Sequence, residues 1–163
     1  MRVSEMDTLF NYNWWATSRV LDTAEGLRDE EFTRTDIVPL PHGSLRGTLV
    51  HMLDLERSAR YRLSRNLSVD PIAQGRYQSI SALSPAMRAE ATAMKDFLIG
   101  LEDEHMDSLL ALEDGTRWPY WQFLLHVIHH SAQHRSEAAV LLSALDRSPD
   151  DLDFYLFLKE SGR

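Results

Sequence analysis

The sequence predicts an all-α fold, a four-helix bundle followed by a short C-terminal helix. Four long segments place their apolar side chains at helical spacing, and strand-like alternation is weak along most of the chain. The connections between these segments differ in length, which favours a bundle over a globin-like packing. We expect one domain over residues 1–163, because this length fits a single domain and no repeat or linker divides it.

The first helix is expected from about Ser4 to Glu25, where apolar residues recur at helical spacing. Gly26 follows it, and glycine is typical of the position after a helix. The connection 27–43 holds two prolines, so we expect it to be mostly irregular. One short helical turn is expected at its beginning, over residues 27–32.

Ser44 is a favourable N-cap residue and predicts the start of the second helix, which runs to about Arg65. The third helix is expected over about residues 79–104. Pro85 lies in its first turns, and proline favours the first position of a helix. A start at Ser84 is therefore the alternative.

Two interpretations remain open for residues 105–118, an irregular loop or a short hairpin that turns at Asp114-Gly115. Pro119 suits the first position of the fourth helix. In the tail, Ser148 is expected to cap a short fifth helix that opens at Pro149.

Charge and composition exclude several classes of function. The chain has 17 Lys and Arg against 25 Asp and Glu, a formal net charge of −8, which disfavours binding to nucleic acid or to an anionic membrane. No segment approaches the roughly 18 apolar residues of a membrane span, and no signal peptide is visible. The chain has no cysteine, which excludes disulfides, thiolate ligands and a cysteine nucleophile. This composition fits a reducing compartment, so we expect a cytoplasmic protein.

Four of the seven histidines lie within nine positions of the predicted fourth helix: His126, His129, His130 and His134. The pairs His126/His130 and His130/His134 have i, i+4 spacing. Four residues turn a helix by about 400°, so such side chains stand above one another on one face. Two imidazoles at this spacing can reach the same metal ion. His129 is expected on another face.

A further ligand must come from another helix, because a catalytic zinc ion usually has three protein ligands and one open position. His51 is the best candidate, since it lies among apolar residues of the second helix and is expected to point inward. Three neutral imidazoles leave the full charge of a divalent ion, which favours activation of a water molecule or a thiol. His42 and His105 lie in polar connections and are expected in solvent.

The spacing alone leaves other interpretations open. Histidine pairs at i, i+4 also occur on solvent-exposed helix faces, and a single inward histidine such as His51 can be an ordinary core residue. Glu137 follows His134 at i+3, where it either contacts that ring or lies in solvent. No residue stands out as a general base.

Four segments carry a resemblance to a known family: FNYNWWATSRVLDTAEGL, GSLRGTLVHMLDLERSARYRL, LLHVIHHSAQHRSEAAVLL and DLDFYLFLKE. Together they resemble the DinB family (DinB/YfiT-like metalloenzymes) over nearly the whole chain. The resemblance implies a four-helix bundle that forms a homodimer and holds a divalent metal ion through His51, His130 and His134. Zinc or nickel is the expected metal, with iron or copper as alternatives.

Characterised members of this family use low-molecular-weight thiols, bacillithiol in S-transferases and mycothiol in an isomerase. The resemblance therefore implies a thiol-dependent S-transferase that acts on a small electrophile, with the thiol as cosubstrate. Two alternatives remain open at this point. One is a metal-dependent hydrolase, and the other is a non-catalytic dimeric binding or stress-response protein.

Overall fold

The computed structural model describes residues 1–162, which form a predominantly helical domain. The helices in this part of the chain are α1 (Val3–Ala24), α2 (Asp29–Thr33), α3 (Leu45–Arg65), α4 (Ile80–Ile99), α5 (Asp103–Met106), α6 (Tyr120–Ser143) and α7 (Phe154–Glu160). A 3₁₀ turn covers Gln74–Arg76, and two short strands, β1 (Leu109–Ala111) and β2 (Arg117–Pro119), form an antiparallel pair. The predicted all-α fold with a short C-terminal helix is confirmed.

The four long helices form the bundle. α1 packs against α4 and α6, and α3 packs against the same two helices from the other side, so each long helix has two neighbours. Such a closed arrangement buries one apolar stripe of every helix. None of the helices in residues 1–162 is long and apolar enough to cross a membrane.

The boundaries of α3 and α4 follow from their caps. Ser44 precedes α3 and accepts a hydrogen bond from the backbone N–H of Gly47 at 3.1 Å, as its N-cap role predicts. Ser79 caps α4 in the same way, so α4 begins at Ile80 and Pro85 lies inside it. The alternative start at Ser84 is wrong. α4 also ends at Ile99, before the predicted Glu104, and Gly100 is its C-cap residue.

The hairpin interpretation of residues 105–118 is correct, since β1 and β2 pair around a turn in which Gly115 has φ +85°. The expected start of the last helix is wrong. α7 begins after Asp153, whose carboxylate accepts a hydrogen bond from the backbone N–H of Tyr155 at 2.6 Å. An aspartate N-cap thus replaces the predicted Ser148 cap and Pro149 opening.

Two clusters of buried apolar side chains fill the bundle, one at each end. The first surrounds the beginning of α3 and the end of α6, and the second surrounds the beginning of α1 and α6 and the end of α4. Between them lies a layer of buried polar residues, which we call the polar layer: Asn13, Glu56, Glu90, Ser131, His134 and Arg135. Buried polar groups need hydrogen-bond partners, so each residue of the polar layer is either paired within the bundle or available to bind another molecule.

Candidate metal centre

Four histidines meet beside the polar layer, on the side where α3 faces α6. Nε2 of His51 lies 3.0 Å from Nε2 of His130. The ring centroids of His130 and His134 are 4.3 Å apart, and those of His51 and His134 are 4.7 Å apart. His42 stacks on His51 with a centroid separation of 4.0 Å. We call these four residues the histidine cluster.

The two helices bring the predicted trio together as their spacing requires. His130 and His134 stand one turn apart on α6, and the tight packing of α3 on α6 places His51 opposite them. His134 is buried, with only 5% of its surface exposed, whereas His51 and His130 are half-buried. The structure thus brings His51, His130 and His134 to one place, where they are accessible from one side.

His42 belongs to the cluster although it was expected in solvent. Gly43 adopts φ +73°, which a glycine tolerates and which turns the chain back over the start of α3. A Cβ on Gly47 would lie 2.2 Å from the His42 carbonyl oxygen, so only glycine there allows this close approach. Together with the Ser44 cap, the two glycines place the His42 ring over His51.

Burial and mutual repulsion keep the half-buried imidazoles neutral. Desolvation is the largest cause that lowers the pKa of His42 and of His51, and positive charge on neighbouring rings lowers both further. The same two causes lower the pKa of His130 to about 4. Neutral imidazoles are the form that binds a metal ion, so the cluster is ready for one at neutral pH.

Glu137 orients His134. Its Oε2 lies 2.7 Å from Nδ1 of His134, and because a carboxylate accepts, the ring must donate from Nδ1. This leaves Nε2 of His134 as a lone-pair donor directed away from Glu137. A carboxylate behind a histidine is a common arrangement in metal sites, where it fixes the tautomer and raises the basicity of the ligand.

The remaining histidines lie outside the cluster. His129 and His105 are exposed, and Nδ1 of His105 accepts a hydrogen bond from the backbone N–H of Glu102 at 2.9 Å. His126 is also exposed, one turn before His130, with ring centroids 5.8 Å apart. Its ring also neighbours Trp118 and Phe123, at centroid separations of 6.0 and 6.3 Å. His126 therefore joins the histidine cluster to an aromatic surface.

That aromatic surface leads into a groove between α3 and the hairpin. The groove encloses about 440 Å³ and is lined on one side by Leu55 and Ser58 and on the other by Phe123 and Leu112. Leu55 and Ser58 follow His51 on the same face of α3, and Phe123 precedes His130 on the same face of α6. A molecule bound at the histidine cluster can therefore extend into this groove.

The donor set fits a divalent transition-metal ion. Two nitrogen atoms bound at about 2.0–2.1 Å to one tetrahedral zinc ion lie roughly 3.3 Å apart, close to the observed 3.0 Å between His51 and His130. Nδ1 of His130 is buried and has no hydrogen-bond partner within residues 1–162. A second trio, His42, His51 and His134, also offers ligand atoms that lie within 4.8 Å of one another. His42, His51 and His134 could therefore hold an ion, and this trio shares His51 and His134 with the predicted trio.

The sequence analysis placed His42 in solvent and left the role of Glu137 open, for different reasons. Nothing in a helical period predicts His42, because it precedes the helix. Its signal is the run Pro-His-Gly-Ser followed by Gly47, in which a turn residue, a cap and a small residue occur together. Glu137 had the correct i+3 spacing from His134, but spacing alone does not distinguish a buried carboxylate from an exposed one.

A comparison with protein families gives a match over nearly the whole chain. The model of the DinB family matches residues 1–162, which is essentially the whole chain. A search of curated proteins finds no match to the chain.

Proposed function

We propose that this chain, which belongs to the DinB family, is a metal-dependent enzyme that transfers a low-molecular-weight thiol to a small electrophile. The observation that carries the proposal is the histidine cluster, in which Nε2 of His51 lies 3.0 Å from Nε2 of His130 and the ligand atoms of His42, His51 and His134 lie within 4.8 Å of one another. A cluster of neutral nitrogen donors beside a groove is suited to a metal ion with a position left for a reactant.

His51, His130 and His134 are the residues that we propose as ligands. When bound, a divalent ion such as zinc or nickel supplies Lewis-acid chemistry, which lowers the pKa of a thiol or of a water molecule. Glu137 holds the His134 ring in the tautomer that a ligand needs. His42 covers His51 on the accessible side and limits the space next to it.

The transfer forms one bond and breaks another. The thiol releases its proton to solvent, which reaches the half-buried side of the cluster, and its sulfur donates an electron pair to the electrophilic carbon. A C–S bond forms, and the leaving group departs with the electrons of the bond that breaks. Phe123 and Trp118 hold an apolar or aromatic substrate body beside His126, so that its reactive carbon faces the cluster.

We also propose that the protein works as a homodimer, as the family resemblance implies. Val140 on α6 is a large apolar residue with 49% of its surface exposed, which a second copy would cover. Sedimentation velocity at micromolar concentration tests this part of the proposal, and a monomer would contradict it.

The activity is tested with purified protein loaded with zinc or nickel. Chlorodinitrobenzene serves as the electrophile, and bacillithiol, mycothiol and glutathione serve as thiols in separate assays. We expect metal-dependent release of chloride with at least one thiol, and loss of that activity in His51→Ala. Turnover that needs metal but no thiol would point to hydrolysis instead. Turnover unchanged in His51→Ala would contradict the proposed site.

A further inference from the structure

A second cavity lies on the opposite side of the polar layer from the histidine cluster. It encloses about 260 Å³ between α1, α3 and α4, just below the usual size of ligand pockets, which starts at about 300 Å³. Its walls are mostly apolar, and its lining includes Trp14, Thr17, Leu21, Glu56, Met87 and Ala91. Such a cavity accommodates a molecule much smaller than a typical drug.

The carboxyl group of Glu56 lines this cavity from the interior of the bundle. Only 8% of the Glu56 surface is exposed, and Oε1 accepts a hydrogen bond from Nε1 of Trp14 at 2.6 Å. Within residues 1–162, no Lys, Arg or His side chain forms an ion pair with Glu56. Burial of a carboxylate without a cation beside it costs free energy. A cation bound next to Glu56 would therefore stabilise its charged form.

The neighbouring Glu90 lies in the same polar layer, and its carboxylate forms a complete ion pair. Arg60 donates two hydrogen bonds to it, one of them from Nη2 to Oε2 at 2.9 Å. Arg135 is a buried cation of the polar layer, as a partner for Glu56 would have to be. It donates its hydrogen bond instead to Oδ1 of Asn13, at 2.7 Å. The protein therefore completes the ion pair of Glu90 and leaves that of Glu56 open towards the cavity.

The mouth of the cavity also favours a cation. Arg88 lines it and forms ion pairs with Asp22 at 2.6 Å and with Glu25 at 3.5 Å. Two carboxylates therefore surround one guanidinium, and the chain as a whole has a formal net charge of −8. Negative charge of this kind attracts small cations towards the opening.

We infer that this cavity binds a small primary amine, whose ammonium group pairs with Glu56 and whose apolar body packs against Leu21, Met87 and Ala91. Ammonium provides three donors, and Oε2 of Glu56 has no hydrogen-bond donor within residues 1–162. The site needs no metal, because one carboxylate offers too few ligands for a divalent ion.

The protonation of Glu56 predicts how binding should depend on pH. Desolvation by burial raises the pKa of Glu56 to about 7, and the charge of Glu90 adds to this effect. The Trp14 hydrogen bond and the charges of Arg135 and Arg60 oppose it. Below pH 7 an incoming ammonium must displace a proton from Glu56, so its affinity should fall about tenfold per pH unit.

Benzylamine is the probe, and benzyl alcohol is its neutral counterpart with the same aromatic body. Binding to the full chain is followed by the indole N–H resonance of Trp14, assigned with Trp14→Phe, and by calorimetry at several pH values. We expect benzylamine to bind with a dissociation constant on the order of 1 mM, as small ligands do, and benzyl alcohol to bind much more weakly. Glu56→Gln should weaken benzylamine binding by about 30-fold or more while it keeps an acceptor for Trp14.

A second variant keeps the test independent of Glu56. Ala91→Leu fills the cavity from its wall and should abolish binding of benzylamine, while the metal content of the histidine cluster stays unchanged. Equal affinity for benzylamine and benzyl alcohol would overturn the inference. Absence of benzylamine binding, or binding that survives both substitutions, would overturn it as well.

Discussion

The helix α3 has two polar sides, and they differ in the kind of cation that they can hold. One side presents His51 to α6, where imidazole nitrogens of His51 and His130 approach within 3.0 Å of each other. The other side presents Glu56 to α1 and α4, where one carboxyl group accepts an indole N–H beside a narrow apolar cavity. Several nitrogen donors suit a transition-metal ion, whereas one carboxylate in apolar surroundings suits an ammonium group.

Other buried polar groups of the same layer have their partners within the chain, and they bind nothing else. Glu90 and Arg135 are buried at the same level of the bundle, and both are satisfied by the chain itself, through Arg60 and through Asn13. Groups satisfied in this way stabilise the packing of the helices. The imidazoles of the histidine cluster and Oε2 of Glu56 have no such arginine or amide partner within residues 1–162, and they mark the two places where the molecule can accept something else.

Removal of a shared ligand should have the largest effect. His51 belongs to both histidine trios, so His51→Ala should reduce the affinity for zinc by more than about 100-fold, beyond the effect of losing a supporting residue. Competition with a chromogenic chelator measures this. The control is His129→Ala, which removes an exposed imidazole from the neighbouring helix α6 and should leave the affinity unchanged. Equal affinity in the two variants would contradict the site.

The buried carboxyl group of Glu56 should make the free energy of unfolding depend on pH. The folded pKa of Glu56 is about 7 and its ordinary value is 4.5. Glu56 therefore releases its proton at a lower pH in the unfolded chain than in the folded protein. As a result, the free energy of unfolding falls as the pH rises from 4.5 to 7. The loss attributable to Glu56 is about 3 kcal/mol above pH 7 and absent below pH 4.5.

Urea denaturation at pH 5 and pH 8 measures this effect. Glu56→Gln lacks the titrating group, so the free energy of unfolding of the wild type should fall by about 2.5 kcal/mol more than that of the variant between these conditions. Parallel changes in the two proteins would show that Glu56 does not titrate in this window.

Loss of the Glu137 carboxylate that supports His134 should lower the zinc affinity less than the loss of a ligand does. Glu137→Gln keeps a hydrogen-bond acceptor at the His134 ring but removes its charge, so the affinity for zinc should fall about 10–100-fold. Glu104→Gln, at an exposed carboxylate, is the matched control. If both variants bind zinc as the wild type does, Glu137 only packs against the ring.

The smallest effect should follow from the cap of α3. Ser44→Ala removes the acceptor for the Gly47 N–H and should lower the free energy of unfolding by about 1 kcal/mol. Because α3 keeps its packing against α6, the zinc affinity should change little. A large loss of zinc would show that the start of α3 and the position of His42 determine the site more than the core of the helix does.

Much of the fold was predictable because the helix signals are local. Ser44 caps α3 as expected, and the spacing of His130 and His134 predicts their common face. The errors lie where tertiary contacts decide. Ser79 holds the start of α4 although Pro85 favours a later one, and Asp153 caps α7 although Ser148 precedes a proline.

The site was predictable only to the extent that one helix carries it. Three of the four histidines of the cluster could be named, because two share a helix face and the third lies inward on another helix. His42 could not be named, because its position depends on the close approach of its carbonyl to Gly47. The open carboxylate of Glu56 has no sequence signal either, since its partners come from α1 and α4.

The central claim is that His51, His130 and His134 hold a divalent metal ion and that His42 only covers them. The direct measurement is the metal content of purified wild-type protein, His130→Ala and His42→Ala after equilibration with zinc and removal of the excess. We predict one ion per chain in the wild type and in His42→Ala, and almost none in His130→Ala. A wild-type protein without metal would contradict the claim. Retention in His130→Ala with loss in His42→Ala would instead assign the ion to His42, His51 and His134.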